Sequence, residues 1–368
     1  MSAHAKLGAS NAHRWLMCPG SVAAEDGLPD TTSPAAAEGT VAHELAELAL
    51  RTGATALNSF ADHEMAEYVR EYFEYVMLHQ GDNTLMIEER VDYSDWVPGG
   101  FGTADAIIIG DDKLHIVDLK YGMGVRVDAE NNPQGMLYAL GVWAQYGWMT
   151  DAKEITISIV QPRLYSVSEW SIGVDDLLRW AEWAKQRAEA TADPDAPRVP
   201  GESQCKFCKA KASCAALRDY TEAALMVSFS NLDDIPPANT LTDDQMSAAL
   251  EARPLIEAWL SAIADHAKTR LADGETFDGW KLVEGRSVRR WIDEGVATEA
   301  LVNMLGLDAY APKKLLSPAQ AEKALGKGRK AEIGKLITKP MGAPTLAPAS
   351  DNRPAINVSD ADFDDCAD

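Results

Sequence analysis

The chain has 368 residues, 46% of them hydrophobic, and 34 basic against 57 acidic side chains give a net charge of −23. That content supports a sizeable core and excludes a wholly disordered chain, while no run of roughly 18 apolar residues is present to span a bilayer. The opening MSAHAKLGAS also lacks the apolar segment of a secretory signal, so a cytoplasmic protein with no membrane partner is expected.

In chain order, residues 10–19 read as a short helix capped by Ser10 and stopped by Pro19. A second helix runs through AEGTVAHELAELAL, with Val41, Leu45 and Leu48 as its apolar stripe. His43 lies nearly opposite that stripe, on a side shared with Ala36 and Gly39, and the bare backbone at Gly39 would admit close approach of another element. A helix over 61–79 precedes strand-like TLMIEERVDY, and GFGTADAIIIG and KLHIVDLKYG then flank a GDD turn as a β-meander. NNPQGMLYALGVWAQYG reads as a helix with Pro133 in its first turn, EITISIVQPRLYSVSEWSI as further strand, and 174–191 as another helix. Beyond the cysteines, 222–240 with DDIPPANT reads as a linker, followed by a long helix from 242 to 272 and a hairpin through GWKLVEGRSVRRWI.

The strand HIVDLKYG raises a question, because Asp118 and Lys120 continue the face of Leu114 and Ile116. A two- or four-residue loop at GDD sets Asp105 directly opposite Asp118 on the neighbouring strand. Like charges so placed destabilise a sheet unless a cation lies between them, and Mg2+ or Mn2+ suits two hard carboxylates. Lys120, two residues on, could orient or deprotonate water or steady charge on a phosphate. Against this stands a plain surface hairpin with a polar outer face. His43 is a candidate third ligand or a structural histidine, and Gln134 and Tyr138, at i and i+4, either hold a phosphate or base or simply pack.

Cys205-x2-Cys208-x5-Cys214 places three thiols close together, and a soft-metal site would lack only its fourth ligand, for which Cys18 is the natural candidate; Cys366 has no assigned role. Zn2+ held by four cysteines and unligated thiols are the alternatives to a cluster. Lys206, Lys209, Lys211 and Arg218 beside the cysteines either contact a nucleic-acid backbone or solvate the surface, and Arg163 is a further candidate for a phosphate. Trp280, Arg286, Arg289, Arg290 and Trp291 combine cations with aromatics in one hairpin, as single-strand binders do. Lys313 to Lys339 is basic and the tail SDADFDDCAD acidic, so the overall negative charge does not exclude a nucleic-acid partner.

The order EGTVAH, GTADAI, VDLKYG, QGMLY resembles the PD-(D/E)XK nucleases of the RecB/AddB type, a group with many phage-encoded members, over roughly residues 10–220. The resemblance implies an α/β, restriction-endonuclease-like core, a mixed sheet flanked by helices, with a mainly α C-terminal region. It implies His43, Asp105, Asp118 and the Leu119 carbonyl as ligands of Mg2+ or Mn2+, Lys120 as the catalytic lysine, and Gln134 with Tyr138 as a Q-x-x-x-Y motif; Glu88 is a possible helper. Members of that group hold a [4Fe-4S] cluster with one cysteine before and three after the nuclease motifs, the arrangement of Cys18, Cys205, Cys208 and Cys214 here. The expected organisation is a nuclease domain over 1–221, a linker over 222–240, an α-rich accessory domain over 241–345 and an acidic tail over 346–368. The expected activity is metal-dependent hydrolysis of DNA, as an exonuclease on single strands or ends, in the cytoplasm of a bacterial host alongside phage replication or recombination proteins. A non-catalytic DNA-binding or assembly protein on the same scaffold is the alternative, and a zinc-stabilised nuclease a third.

Overall fold

Runs of consecutive apolar residues, such as AIII at 106–109, build strands that are buried on both faces of the sheet. The computed structural model describes residues 5–29, 34–228, 238–276 and 278–281. Cys366, Arg286, Arg289, Arg290, Trp291, the stretch 313–339 and the acidic tail lie outside the described residues, as does most of the expected accessory domain.

Five helices come first: α1 (Ala12–Met17), α2 (Ser21–Glu25), α3 (Pro34–Thr52), α4 (Thr55–Asn58) and α5 (His63–Gln80). Three strands follow, β1 (Thr84–Asp92), β2 (Phe101–Gly110) and β3 (Lys113–Leu119), then α6 (Pro133–Tyr146), β4 (Glu154–Gln161), β5 (Ser166–Gly173) and α7 (Val174–Ala190). Beyond them lie α8 (Glu202–Lys206), α9 (Ala215–Ser228) and α10 (Asp243–Ala272).

The mixed sheet has the order β1-β2-β3-β4-β5, antiparallel throughout except for the parallel pair β3 and β4. A parallel pair needs a crossover, and α6 supplies it. Its start is set by Asn132, whose side chain accepts from the Gly135 N–H at 3.1 Å, with Pro133 in the first turn. The turn between β2 and β3 has two residues, since Gly110 pairs with Lys113, and Ala106 pairs with Val117. This is the register that sets Asp105 opposite Asp118.

Both faces of the sheet are covered. Ile107, Ile109, Leu114, Ile116 and Ile157 pack with Leu137 and Leu140 of α6, Leu177 of α7 and Trp15 of α1. On the other face Ala106, Ile108, Val117 and Leu119 meet Leu45 of α3 and Val69, Tyr72 and Val76 of α5. Each large side chain so buried contributes about 1.5–3 kcal/mol, which makes β2 and β3 a rigid platform.

Several local expectations are corrected. The buried face of α3 is Ala42, Leu45, Ala46 and Ala49, whereas Val41 and Leu48 are exposed. Small side chains let α3 lie close to α5, and a stripe chosen by side-chain size points the wrong way. A Cβ added at Gly39 would meet nothing within 4 Å, so no element approaches there. Ser10 does not cap α1, which begins after Asn11 without a side-chain cap. The expected linker 222–240 is helical through Ser228, because TEAALMVS contains no helix breaker. Farther on, α10 starts at a reciprocal Thr242/Gln245 capping box and sets Leu255 and Trp259 against Cys205 and Leu217. Among the described residues no helix is long and apolar enough to cross a membrane.

Candidate metal centre

Asp105 leaves β2 where the β3 ladder ends, and its Oδ2 accepts from the Leu119 N–H at 2.7 Å. A side-chain carboxylate there takes the place of a backbone acceptor and is locked in direction. Its Oδ1 lies 3.3 Å from His43 Nδ1 on α3. Glu88 completes the group: one ligand atom from each of His43, Glu88 and Asp105 lies within 4.8 Å of the others.

Glu88 sits mid-strand with φ at 51°, in the left-handed region a glutamate rarely enters. Its neighbour Glu89 points to the opposite face, where Tyr146 donates to it at 2.9 Å. Burial, then repulsion from Asp105, pushes the Glu88 carboxyl up to about 7. For His43, burial opposes the charged form, but the Asp105 carboxylate outweighs it and the net direction is up. Two crowded carboxylates and an imidazole form a donor set that suits a hard divalent cation.

Asp118 stands apart from this trio. It is 5% exposed, and its Oδ1 accepts from Lys120 Nζ and from Gln134 Nε2, each at 3.1 Å. Its Oδ2 lies 2.8 Å from Lys120 Nζ, a close ion pair that ties both carboxylate oxygens to the lysine. Burial pushes the Asp118 carboxyl above the usual range, against the pull of Lys120. Burial likewise disfavours the Lys120 ammonium, but Asp118 and Asp105 outweigh it and raise the amine. Nζ also donates to Gln134 Oε1 at 3.1 Å, and Gln134 Nε2 donates on to Tyr138 Oη at 3.2 Å. Tyr138 packs against Gly102, where an added Cβ would meet its ring at 2.5 Å, so only glycine leaves the ring its place.

The structure thus brings His43, Asp105, Asp118, Leu119, Lys120, Gln134 and Tyr138 into one neighbourhood, with two differences from expectation. The donors gathered for a metal are His43, Glu88 and Asp105, while Asp118 turns to Lys120. Leu119 contributes its N–H to Asp105. The one signal for Glu88 in the sequence is the pair Glu88-Glu89 interrupting an alternating strand. Arg163 is bonded to Glu38 at 2.9 Å and lies over the Tyr121 ring at 4.9 Å.

Cys18, Cys205, Cys208 and Cys214 line a second, smaller cavity of about 20 Å³. Backbone N–H groups of Val199 and Gly201 donate to the sulfurs of Cys18 and Cys205 at 3.2 and 3.4 Å. Burial pushes the Cys208 thiol up to about 12 and raises Cys205 as well. Among the described residues no three of these thiols close to within 4.8 Å of one another. The segments bearing them are nonetheless fastened together: Arg14 donates to the Phe207 carbonyl at 2.9 Å and pairs with Glu25 at 3.0 Å, and Glu25 accepts from the Lys209 N–H at 2.7 Å. Arg218 is paired with Asp219.

Among solved structures, that of SSO0001 is 16% identical, with 57% of this chain and 85% of that chain covered and a TM-score of 0.28, a likeness from which no shared fold follows. The family described as "Protein of unknown function (DUF2800)" matches residues 4–354, and the chain belongs to that family.

Proposed function

We propose that the protein is a metal-dependent nuclease of the PD-(D/E)XK kind, hydrolysing phosphodiester bonds of DNA at single strands or ends. The observation that carries this reading is one arrangement: crowded carboxylates of Glu88 and Asp105 with His43, beside the buried Asp118 carboxylate paired with Lys120 and held by Gln134.

His43, Glu88 and Asp105 would hold Mg2+ or Mn2+, with Asp118 adjoining them. Such a cation, when bound, lowers the pKa of water and offsets charge on a phosphate. In the reaction, the oxygen of an attacking water forms a new bond to phosphorus, the bond to the leaving sugar oxygen breaks, and that oxygen departs with a proton. Lys120 is an ammonium donating to two oxygen acceptors, so its role is to donate to a phosphate oxygen or to orient the water, rather than to abstract a proton. Gln134 holds both Asp118 and Lys120 in place, and Tyr138 fixes Gln134.

The four cysteines are a fitting donor set for a thiolate-bound metal, since two backbone N–H groups are aimed at their sulfurs. A [4Fe-4S] cluster is the reading the resemblance supports, with a single Zn2+ as the alternative. Iron and zinc analysis of anaerobically purified protein separates the two. The setting proposed is replication or recombination of phage DNA in a bacterial cytoplasm. The deciding experiment incubates the protein with end-labelled single- and double-stranded DNA and Mn2+; shortened products support the reading and their lengths give polarity, whereas intact DNA at all protein concentrations refutes it.

A further inference from the structure

A cavity of about 940 Å³ opens on the far side of Tyr138, between the N-terminal segment and the β1/β2 edge. We infer that it binds unpaired nucleotides adjoining the scissile phosphate, chiefly by stacking on the Phe101 and Arg90 pair; this rests on the nuclease reading for where the strand leads, not for its binding.

Four observations converge. The volume lies in the range of sites that take organic ligands and is too small for a duplex. Arg90 places its guanidinium 3.7 Å from the Phe101 ring centre, is exposed, and makes no ion pair among the described residues. A flat cation on a flat ring is a platform every base can use, because every base has a π face. Two buried polar atoms on the wall, Ser21 Oγ and Asn11 Oδ1, have no partner, and Ser21 is only 3% exposed. Tyr138 connects the wall to Gln134, and Thr103 on the same wall is two residues from Asp105.

The charges on the wall narrow the ligand further. Arg14 and Glu25 neutralise each other, which leaves Lys6, Arg90 and Lys209 against Asp26, a small local excess of positive charge. A chain of net charge −23 gains little from long-range attraction to a polyanion. Recognition through bases resolves that conflict, and it carries a signature: binding should depend only weakly on salt.

The test measures fluorescence anisotropy of labelled oligothymidylate and of an abasic oligonucleotide of equal length, with the full chain as purified and no added divalent cation. The oligothymidylate should bind about tenfold more tightly than the abasic strand, with a shallow salt dependence. Phe101→Ala should erase that preference, and Thr103→Glu, at an exposed wall position, should weaken oligothymidylate binding several-fold even if Phe101→Ala fails to fold. Equal binding of the two oligonucleotides by the wild type, or binding unchanged in both variants, overturns the proposal, as does duplex binding that matches single strands. A cleavage assay on the same wild-type protein separates the readings: base-dependent binding without cleavage would sink the nuclease reading alone, while cleavage without base preference would sink this one alone.

Discussion

Strand β3 carries two buried polar clusters three residues apart, and they are built in opposite ways. Around His115, Nε2 meets Ser158 Oγ at 2.8 Å, Tyr75 Oη meets the same oxygen at 2.9 Å, and Tyr75 donates to Glu169 at 2.8 Å. Every group there has a partner, and the backbone is regular. Around Asp118 and Asp105 two carboxylates crowd an imidazole, and Glu88 is held in a left-handed conformation. Satisfied polar networks specify a fold, whereas crowded and strained ones on a rigid platform are arranged for something that arrives later. The same strand supports both.

The sharpest way to break this contrast is to remove charge from the second cluster. Asp118→Ala and Lys120→Ala should each lower Mn2+-dependent cleavage by on the order of 10³-fold or more while circular dichroism stays native. Equal loss in a His115→Gln variant would erase the distinction drawn between the clusters.

Next in size is a pH effect confined to the first cluster. Burial, reinforced by His79 and Lys113 and opposed by Glu169, holds His115 down at about 4, against about 6.5 in an unfolded chain. The folded state therefore refuses a proton that the unfolded state accepts. Above about pH 6.5 the site costs nothing; as pH falls from there to about 4, stability declines by up to about 3 kcal/mol, and below that both states bind the proton. The difference between wild type and His115→Gln in denaturant midpoint across that window measures it, and parallel curves would refute the assignment.

Divalent cation should act on the second cluster alone. Mn2+ at about 100 times its dissociation constant stabilises a folded state by about 2.7 kcal/mol, read as a rise in Tm. Glu88→Gln should remove most of that rise and, by relieving the repulsion with Asp105, leave the cation-free protein no less stable. An undiminished rise would place the cation elsewhere. The smallest effect belongs to neither cluster: Gly39→Ala, in open space on α3, should stabilise by about 0.5–1 kcal/mol through helix propensity, with cleavage unchanged.

The sequence made the register legible because a two-residue turn leaves no freedom: once Asp111 and Asp112 form the loop, Asp105 must face Asp118. Gln134 and Tyr138 were legible for a similar reason, since helical spacing and a capped start fix their shared face. Glu88 was reached only through the resemblance, as a possible helper and not as a ligand, because a left-handed residue inside a strand violates the alternation by which strands are read. The face of α3 was misread because size was taken for burial, when Ala42, Ala46 and Ala49 are buried and Val41 and Leu48 are not. Whether a helix packs by its large or its small side chains depends on how near its neighbour lies, and that distance is a property of the assembled fold.

The bonds joining the first turns of the protein to its cysteine segment also impose an order of events during synthesis. Arg187 donates to the Leu16 carbonyl at 2.6 Å, Arg14 reaches the Phe207 carbonyl, and at Gly20 an added Cβ would strike the Ala196 carbonyl at 2.3 Å. None of these partners exists when Trp15 and Leu16 leave the ribosome. At roughly 5–20 residues per second, about 10–40 s pass before they do. For that interval the turns around Arg14 and Gly20 wait without these partners, and a segment made nearly 200 residues later is the one that fastens them.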